Sequence, residues 1–171
     1  VNVKDYDIEA LRNKVGIVMQ KAVLFKGTIR ENMWMGKKGA TDEQIDEALE
    51  ISQSKEFVDS KQGRLDYVIE QGGKNLSGGQ RQRLTIARAI VRKPDVLILD
   101  DSASALDFAT DAALRKAIRG MNNSPTVFIV SQRAASLMYA DLIIVLDDGQ
   151  VAGMGTHDEL LANCEVYKEI Y

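Results

Sequence analysis

Short runs of consecutive apolar residues alternate along this chain with stretches in which apolar residues recur every third or fourth position. The runs Val15 to Gln20, Val96 to Leu99, Thr126 to Val130 and Leu142 to Leu146 read as strands. The spacing of Ile45, Ala48, Leu49 and Ile51 predicts a helix over Thr41 to Ser54, with Thr41 and Glu43 or Gln44 as its start signals. A second helix is expected to begin after Ser77, a good N-cap residue, and to run to about Arg92 before Pro94 stops it. A third covers Asp107 to Arg119 and closes at Gly120, ahead of the polar turn Asn122-Asn123-Ser124-Pro125. Asp148-Gly149, lying before Gln150 to Met154, is a hairpin signal, and a last helix is expected from about His157 to Tyr171. Lys55 to Asn75 is polar, contains glycine and reads as a connector. Strands alternating with helices argue an α/β fold, with a mostly helical stretch from Gln20 to about Arg92 inserted between two strands.

Composition narrows the picture without redirecting it. With 171 residues and 45% hydrophobic content, the chain is long enough for one domain with a real core and short for two. Its 22 basic and 25 acidic residues give a net charge of -3, which argues against nucleic acid as a partner. The single cysteine, Cys164, excludes an internal disulfide and is read as a small side chain in the C-terminal helix. No segment approaches the roughly 18 to 20 apolar residues needed to cross a bilayer. The first residues, Val1-Asn2-Val3-Lys4, contain no initiator Met and no leader pattern.

The candidate chemistry sits in two places. Leu76-Ser77-Gly78-Gly79-Gln80 opens the second helix, where free amides and the positive end of the helix dipole attract an anion. Gly78 and Gly79 have no Cβ, so a phosphate oxygen can approach the backbone. The run Val96 to Leu99 lies between Asp95 and Asp100, as expected of a parallel strand covered on both faces, and ends in the carboxylates of Asp100 and Asp101. Ligands of open α/β sheets bind at such strand ends, and hard oxygen donors there suit Mg²⁺.

These residues resemble those of the ATP-binding-cassette (ABC) ATPases, whose signature is LSGGQ and whose Walker B strand is four apolar residues followed by Asp. The resemblance covers essentially the whole chain. It implies a P-loop NTPase core of the RecA-like type, built from residues 1–20 and 93–171, with an α-helical signature subdomain over residues 21–92. The segments Leu24 to Asn32 and Gly155 to Leu160 look like those of exporters. By carry-over, ATP and Mg²⁺ are the implied cofactors. Leu76, Ser77, Gly78, Gly79, Gln80, Gln20 and Asp107 would contact nucleotide, and Asp100 and Gln20 would serve the metal. Gln20 is the Q-loop position, Ser104-Ala105-Leu106-Asp107 the D-loop, and Glu70-Gln71-Gly72 sits where exporters have a loop contacting the partner membrane domain. The implied partners are a second cassette and the transmembrane domains of an exporter, with this chain at the cytoplasmic face of the membrane.

Three departures qualify the carry-over. No G-x-x-x-x-G-K-[ST] loop is present, since Gly36-Lys37 and Gly73-Lys74 are followed by Lys38 and Asn75. The chain is therefore read as the C-terminal part of a cassette, starting after Walker A, whose strand is expected between the Thr126 and Leu142 strands. Asp101 stands where active members have a catalytic Glu one methylene longer. A shortfall of about 1 Å at such a group can cost on the order of 10²-fold in rate. Gln132 stands where the family has a switch His, and it cannot carry a positive charge. The only histidine, His157, lies far along the chain and reads as an ordinary helix-start residue. With the signature intact, the pattern resembles the non-consensus half of a heterodimeric exporter: catalytic positions Asp101 and Gln132 degenerate, the LSGGQ completing the partner's site. The alternative is a regulatory module whose nucleotide-dependent dimerisation is the output, with negligible hydrolysis.

Overall fold

The computed structural model describes residues 2–102 and 104–171; Val1 and Ala103 lie outside the described residues. In chain order the elements are α1 (Ile8–Lys14), β1 (Val15–Val18), β2 (Gly27–Thr28), α2 (Ile29–Trp34), α3 (Asp42–Ile51), α4 (Lys55–Asp59), β3 (Val68–Ile69), α5 (Gly78–Ile90) and β4 (Val96–Asp100). They continue through α6 (Phe108–Arg119), β5 (Thr126–Val130), β6 (Ile143–Asp147), β7 (Gln150–Gly155), α7 (His157–Asn163) and α8 (Glu165–Ile170). The fold is mixed α/β, with β1, β4 and β5 in one sheet and β1 parallel to β4.

Helix starts follow from local chemistry. Thr28, Thr41, Ser77 and Thr156 each cap a helix and each closes a reciprocal capping box, with Glu31, Gln44, Gln80 and Glu159 respectively. Such a cap is worth about 1 kcal/mol, because it satisfies backbone donors that the first turn leaves unpaired. At Thr41 the partner is therefore Gln44, not Glu43.

The chain forms two compact units, residues 1–128 and 129–171. In the first, α3 buries Ile45, Ala48 and Leu49, and α5 buries Leu84, Ile86, Ala87 and Ile90. In the second, Ile143 and Val145 of β6 pack with Leu160, Cys164 and Tyr167. The β6–β7 hairpin turns at Asp148 and Gly149, both at positive φ, as a two-residue loop of this twist requires.

Two expectations need correcting. The presumed connector after α3 carries structure: α4, a 3-10 turn at Arg64–Asp66, and β3, which pairs antiparallel with β2. Ion pairs hold it, Arg64 reaching Asp46 and Asp59 at 2.5 Å each. The C-terminal helix is two helices, broken at Cys164, whose backbone is extended. The break lets Cys164 and Tyr167 both turn inward, and Cys164 Sγ lies 2.8 Å from where a Cβ on Gly153 would stand. Any larger residue at 153 would displace the sulfur.

The β5 strand is not covered on both faces. Phe128 and Val130 are 57% and 56% exposed. Ile144 and Leu146 of β6 are likewise exposed, and β6 pairs with β7 in a separate sheet from β5. Apolar strand residues in water beside unpaired backbone favour association with another chain. Expressed alone, these 171 residues are expected to bind hydrophobic dye and self-associate; a monodisperse monomer with little dye uptake in light scattering and fluorescence would contradict this.

Stability is also expected to fall in acid. Hydrogen bonds hold several carboxyls below their usual range: Asp42 to Arg30, Asp59 to Lys55, Asp107 to the backbone of Thr110 and Glu159 to the backbone of Thr156. A carboxyl depressed in the folded state contributes stability that is present above its unfolded value of about 4 and lost as pH drops through the folded value. The thermal midpoint by circular dichroism should therefore decline below about pH 4; an unchanged midpoint at pH 3 would exclude these contributions.

Candidate functional site

The parallel ladder between β1 and β4 positions the first half of the site. Its register pairs Val15 with Val96 and Val18 with Leu99. Continuing that register past the strand ends sets Gln20 opposite Asp101, and Gln20 Nε2 donates to Asp101 Oδ2 at 3.0 Å. Below the strands the same 81-residue offset joins Lys14 to Asp95, by an ion pair of 2.5 Å and by a backbone bond from Asp95 N to Lys14 O. Two residues expected from sequence to share a site, 81 positions apart, are thus brought into contact by strand register alone.

Asp101 has a left-handed backbone, φ 42°, which Asp tolerates better than most residues with a Cβ. Its carbonyl accepts from the hydroxyl of Ser104 at 2.9 Å. Asp100, half-buried, ends β4 beside it. Among the described residues no cluster of three or more His, Cys, Asp or Glu side chains could hold a metal by itself. Asp100 closes β4 and Asp101, bonded by Gln20, follows it, a sparse oxygen set at a strand end. That set fits Mg²⁺, which keeps waters and takes one or two carboxylates together with substrate phosphates.

The start of α5 supplies the second half. Ser77 Oγ accepts from Gln80 N at 3.2 Å, and Ser77 N donates to Gln80 Oε1 at 3.0 Å. The capping box uses a lone pair of the Ser77 hydroxyl and leaves its proton for an anion. No acidic residue lies in the first turn, and Ser77 and Gly78 are exposed. The two glycines differ. A Cβ on Gly79 would stand 3.3 Å from the carbonyl oxygen of Ala105, a tight contact that the chain's own loop would have to relieve by a few tenths of an ångström. A Cβ on Gly78 would have Arg81 Nη2, at 3.9 Å, as its nearest neighbour. Nothing in the described protein fills that space, and the cradle fits a bound phosphate. Asp107 follows as the N-cap of α6, accepting from Thr110 N at 2.9 Å.

Gln132 is exposed just after β5 and belongs to the second compact unit. His157 is the first residue of α7, its Nδ1 2.9 Å from the Tyr167 hydroxyl and its ring 4.7 Å from that of Tyr171. It is a packing residue, as its sequence position suggested.

Sequence reasoning passed over several side chains that hold the site's surroundings. Asn32 is fully buried and bonds Phe25 N, Phe25 O and Thr28 O, fixing the segment after Gln20. Arg88 is buried enough to lower its affinity for its proton, bonds the carbonyl of Val23 and lies over the Phe25 ring. Its Nη1 has no partner among the described residues, beside a cavity of about 300 Å³ also lined by Val15, Ile17 and Met35. The "E-N" at 31–32 and the arginines along α5 were the available signals.

Comparison with known proteins agrees with this geometry. Residues 1–104 match the ABC transporter family model. The chain is 44% identical to the uncharacterized ABC transporter ATP-binding protein YfiB of Bacillus subtilis, aligning over 99% of this chain and 29% of that one. It is 36% identical, with the same coverage of each chain, to a putative multidrug export ATP-binding/permease protein of Staphylococcus aureus. A bacterial Atm1-family ABC exporter solved with ATP bound superposes with a TM-score of 0.90 at 33% identity, over 95% of this chain and 29% of that one. The chain thus spans under a third of the length of these relatives. With the family model covering more than half of it, and the fold of a solved exporter in agreement, the chain belongs to the ABC transporter family.

Proposed function

We propose that this chain is part of the ATP-binding and ATP-hydrolysing motor domain of an exporter, coupling nucleotide-driven dimerisation to transport through transmembrane domains at the cytoplasmic face of a membrane. The observation that carries the proposal is the start of α5: a capped helix end, free of acid, with an open space at Gly78 that nothing in the described protein explains. Similarity to a multidrug export ATP-binding/permease protein and to an exporter with ATP bound supports the transport reading.

In this reading Leu76 to Gln80 meet the nucleotide held by a second cassette. Asp100 and Gln20 serve Mg²⁺ on this chain's own side, where Mg²⁺ would neutralise phosphate charge. Asp107 belongs to the loop that borders the signature, consistent with Ala105 lying against Gly79. Exposed Phe25, Trp34 and Met35 are suited to a partner's apolar surface. The chain's own hydrolytic site is degenerate: Asp101 is short and already bonded to Gln20, and Gln132 carries no charge. A second reading, a nucleotide-dependent dimerisation module without significant hydrolysis, draws on those same two residues.

Both tests use the full-length protein that carries this chain, assembled with its partner. Ser77→Ala should lower the ATPase rate by about tenfold or more, as expected when one transition-state donor is lost, while Asp101→Asn should change it little. The opposite ranking would place the working site on this chain's own carboxylates. The glycines should separate in a second measurement. Gly78→Ala should leave the melting midpoint unchanged and weaken ATP-dependent dimerisation, whereas Gly79→Ala should also lower the midpoint by displacing Ala105. Equal melting for both variants would remove the distinction.

A further inference from the structure

The start of α5 is approached by a loop, residues 70–76, that has no regular ladder of its own. Gly72 and Gly73 both adopt left-handed conformations, φ 69° and 71°, and Glu70, Gln71 and Gly72 are exposed. Such a loop would ordinarily be free to move relative to the helix it feeds. Here two side chains tie it down.

Arg81, one turn into α5, sends Nη1 back to the carbonyls of Leu76 at 2.9 Å and Gly73 at 3.3 Å. Its stem occupies the place where Gly73 would carry a side chain, with Cδ 2.7 Å from that Cβ position. Glycine at 73 is therefore required both by the positive φ and by the arginine packed over it. From the other end, Asn75 Oδ1 accepts from Glu70 N at 3.0 Å, while its Nδ2 donates to Val68 O at 2.9 Å and to the Tyr67 hydroxyl at 3.1 Å.

Helix-start electrostatics do not account for the arginine. A cation within the first turns lies at the positive end of the helix dipole, where it is mildly unfavourable. The first turn also contains no acid, so the guanidinium's positive charge near Ser77 is not offset within it. The compensation is geometric, since one guanidinium nitrogen bonds carbonyls on both sides of the Lys74–Asn75 turn and fixes Leu76, the residue whose peptide leads directly into Ser77.

We infer that Arg81, with Asn75 behind it, is a positioning residue: it holds residues 73–76 against the start of α5 and so fixes where the amides of Ser77–Gly79 stand. In this role Arg81 acts through the carbonyls of Gly73 and Leu76. The inference rests on the reading that Ser77–Gly79 serve a nucleotide.

The test is ATPase kinetics of the full-length assembled protein with Arg81→Ala, Arg81→Lys, Asn75→Ala and, as a reference, Ser77→Ala. A helix start misplaced by a fraction of an ångström to 1 Å should lower kcat by about ten- to a hundredfold, with KM for ATP changed by about twofold or less. Arg81→Lys, which keeps the charge and can reach one carbonyl, should recover part of the loss. Asn75→Ala should show a smaller fall of the same kind. A double-mutant cycle guards against misfolding as the cause: Gly73→Ala should be less damaging to kcat when Arg81 is already Ala, because the conflict with its stem is gone and only the strain of the positive φ remains. If Arg81→Ala retains full kcat while Ser77→Ala loses it, or if the Gly73 and Arg81 effects simply add, the positioning role is overturned and the nucleotide reading stands. If Ser77→Ala is also silent, the nucleotide reading itself fails.

Discussion

The parallel pairing of β1 with β4 is the constraint on which the carboxylate half of the site depends. Four residue pairs fix the register, Val15 with Val96 through Val18 with Leu99, and burial of Val18, Leu97 and Leu99 makes a slip costly. A shift of one residue would turn the buried face outward and separate Gln20 from Asp101 at the same time. The polar bonds at the two ends are exposed, so their worth lies less in energy than in agreement: both repeat the offset that the apolar pairs have already set.

The signature half is built on different physics. It rests on local capping and on side chains reaching back along the chain rather than on strand register. Ser77 and Gln80 close the cap, and Arg81 and Asn75 hold the approach. The two halves meet at Gly79, where the carbonyl of Ala105, a few residues after Asp101, would crowd any side chain. The loop after β4 therefore serves both: it carries the left-handed Asp101 and lies against the start of α5.

Much of this could be read from residues. Periodicity located α3, cap and stop residues located α5, the amphipathic pattern located α6, and the Ser77 and Thr41 caps stand where their side-chain chemistry placed them. The resemblance to the ABC ATPases singled out Gln20, Asp100 and Asp101, and the structure brings Gln20 and Asp101 into contact. The stretch 55–75 escaped because its elements are two to five residues long, too short for a 3.6-residue or two-residue rhythm to show, and because ion pairs rather than apolar faces fix it. The break at Cys164 escaped because Leu160, Cys164 and Tyr167 keep near-helical spacing across it, and only the close approach to Gly153 reveals that the backbone must turn. The role of Arg81 was illegible for the same kind of reason, since its partners are carbonyl oxygens that no residue type announces.

The register also separates what this chain can vary from what it cannot. Between the end of β1 and the start of β4 lies the whole helical subdomain, and the ladder senses only where those two strands begin and stop. Residues gained or lost at an exposed turn such as that at Gly63 would lengthen or shorten the excursion without moving Gln20 relative to Asp101. One residue gained between Lys14 and Gln20 would put the bond to Asp95 and the bond to Asp101 out of phase with each other. The residues between β1 and β4 are thus free to drift in length over evolution, while the seven positions from Lys14 to Gln20 are held to a fixed count.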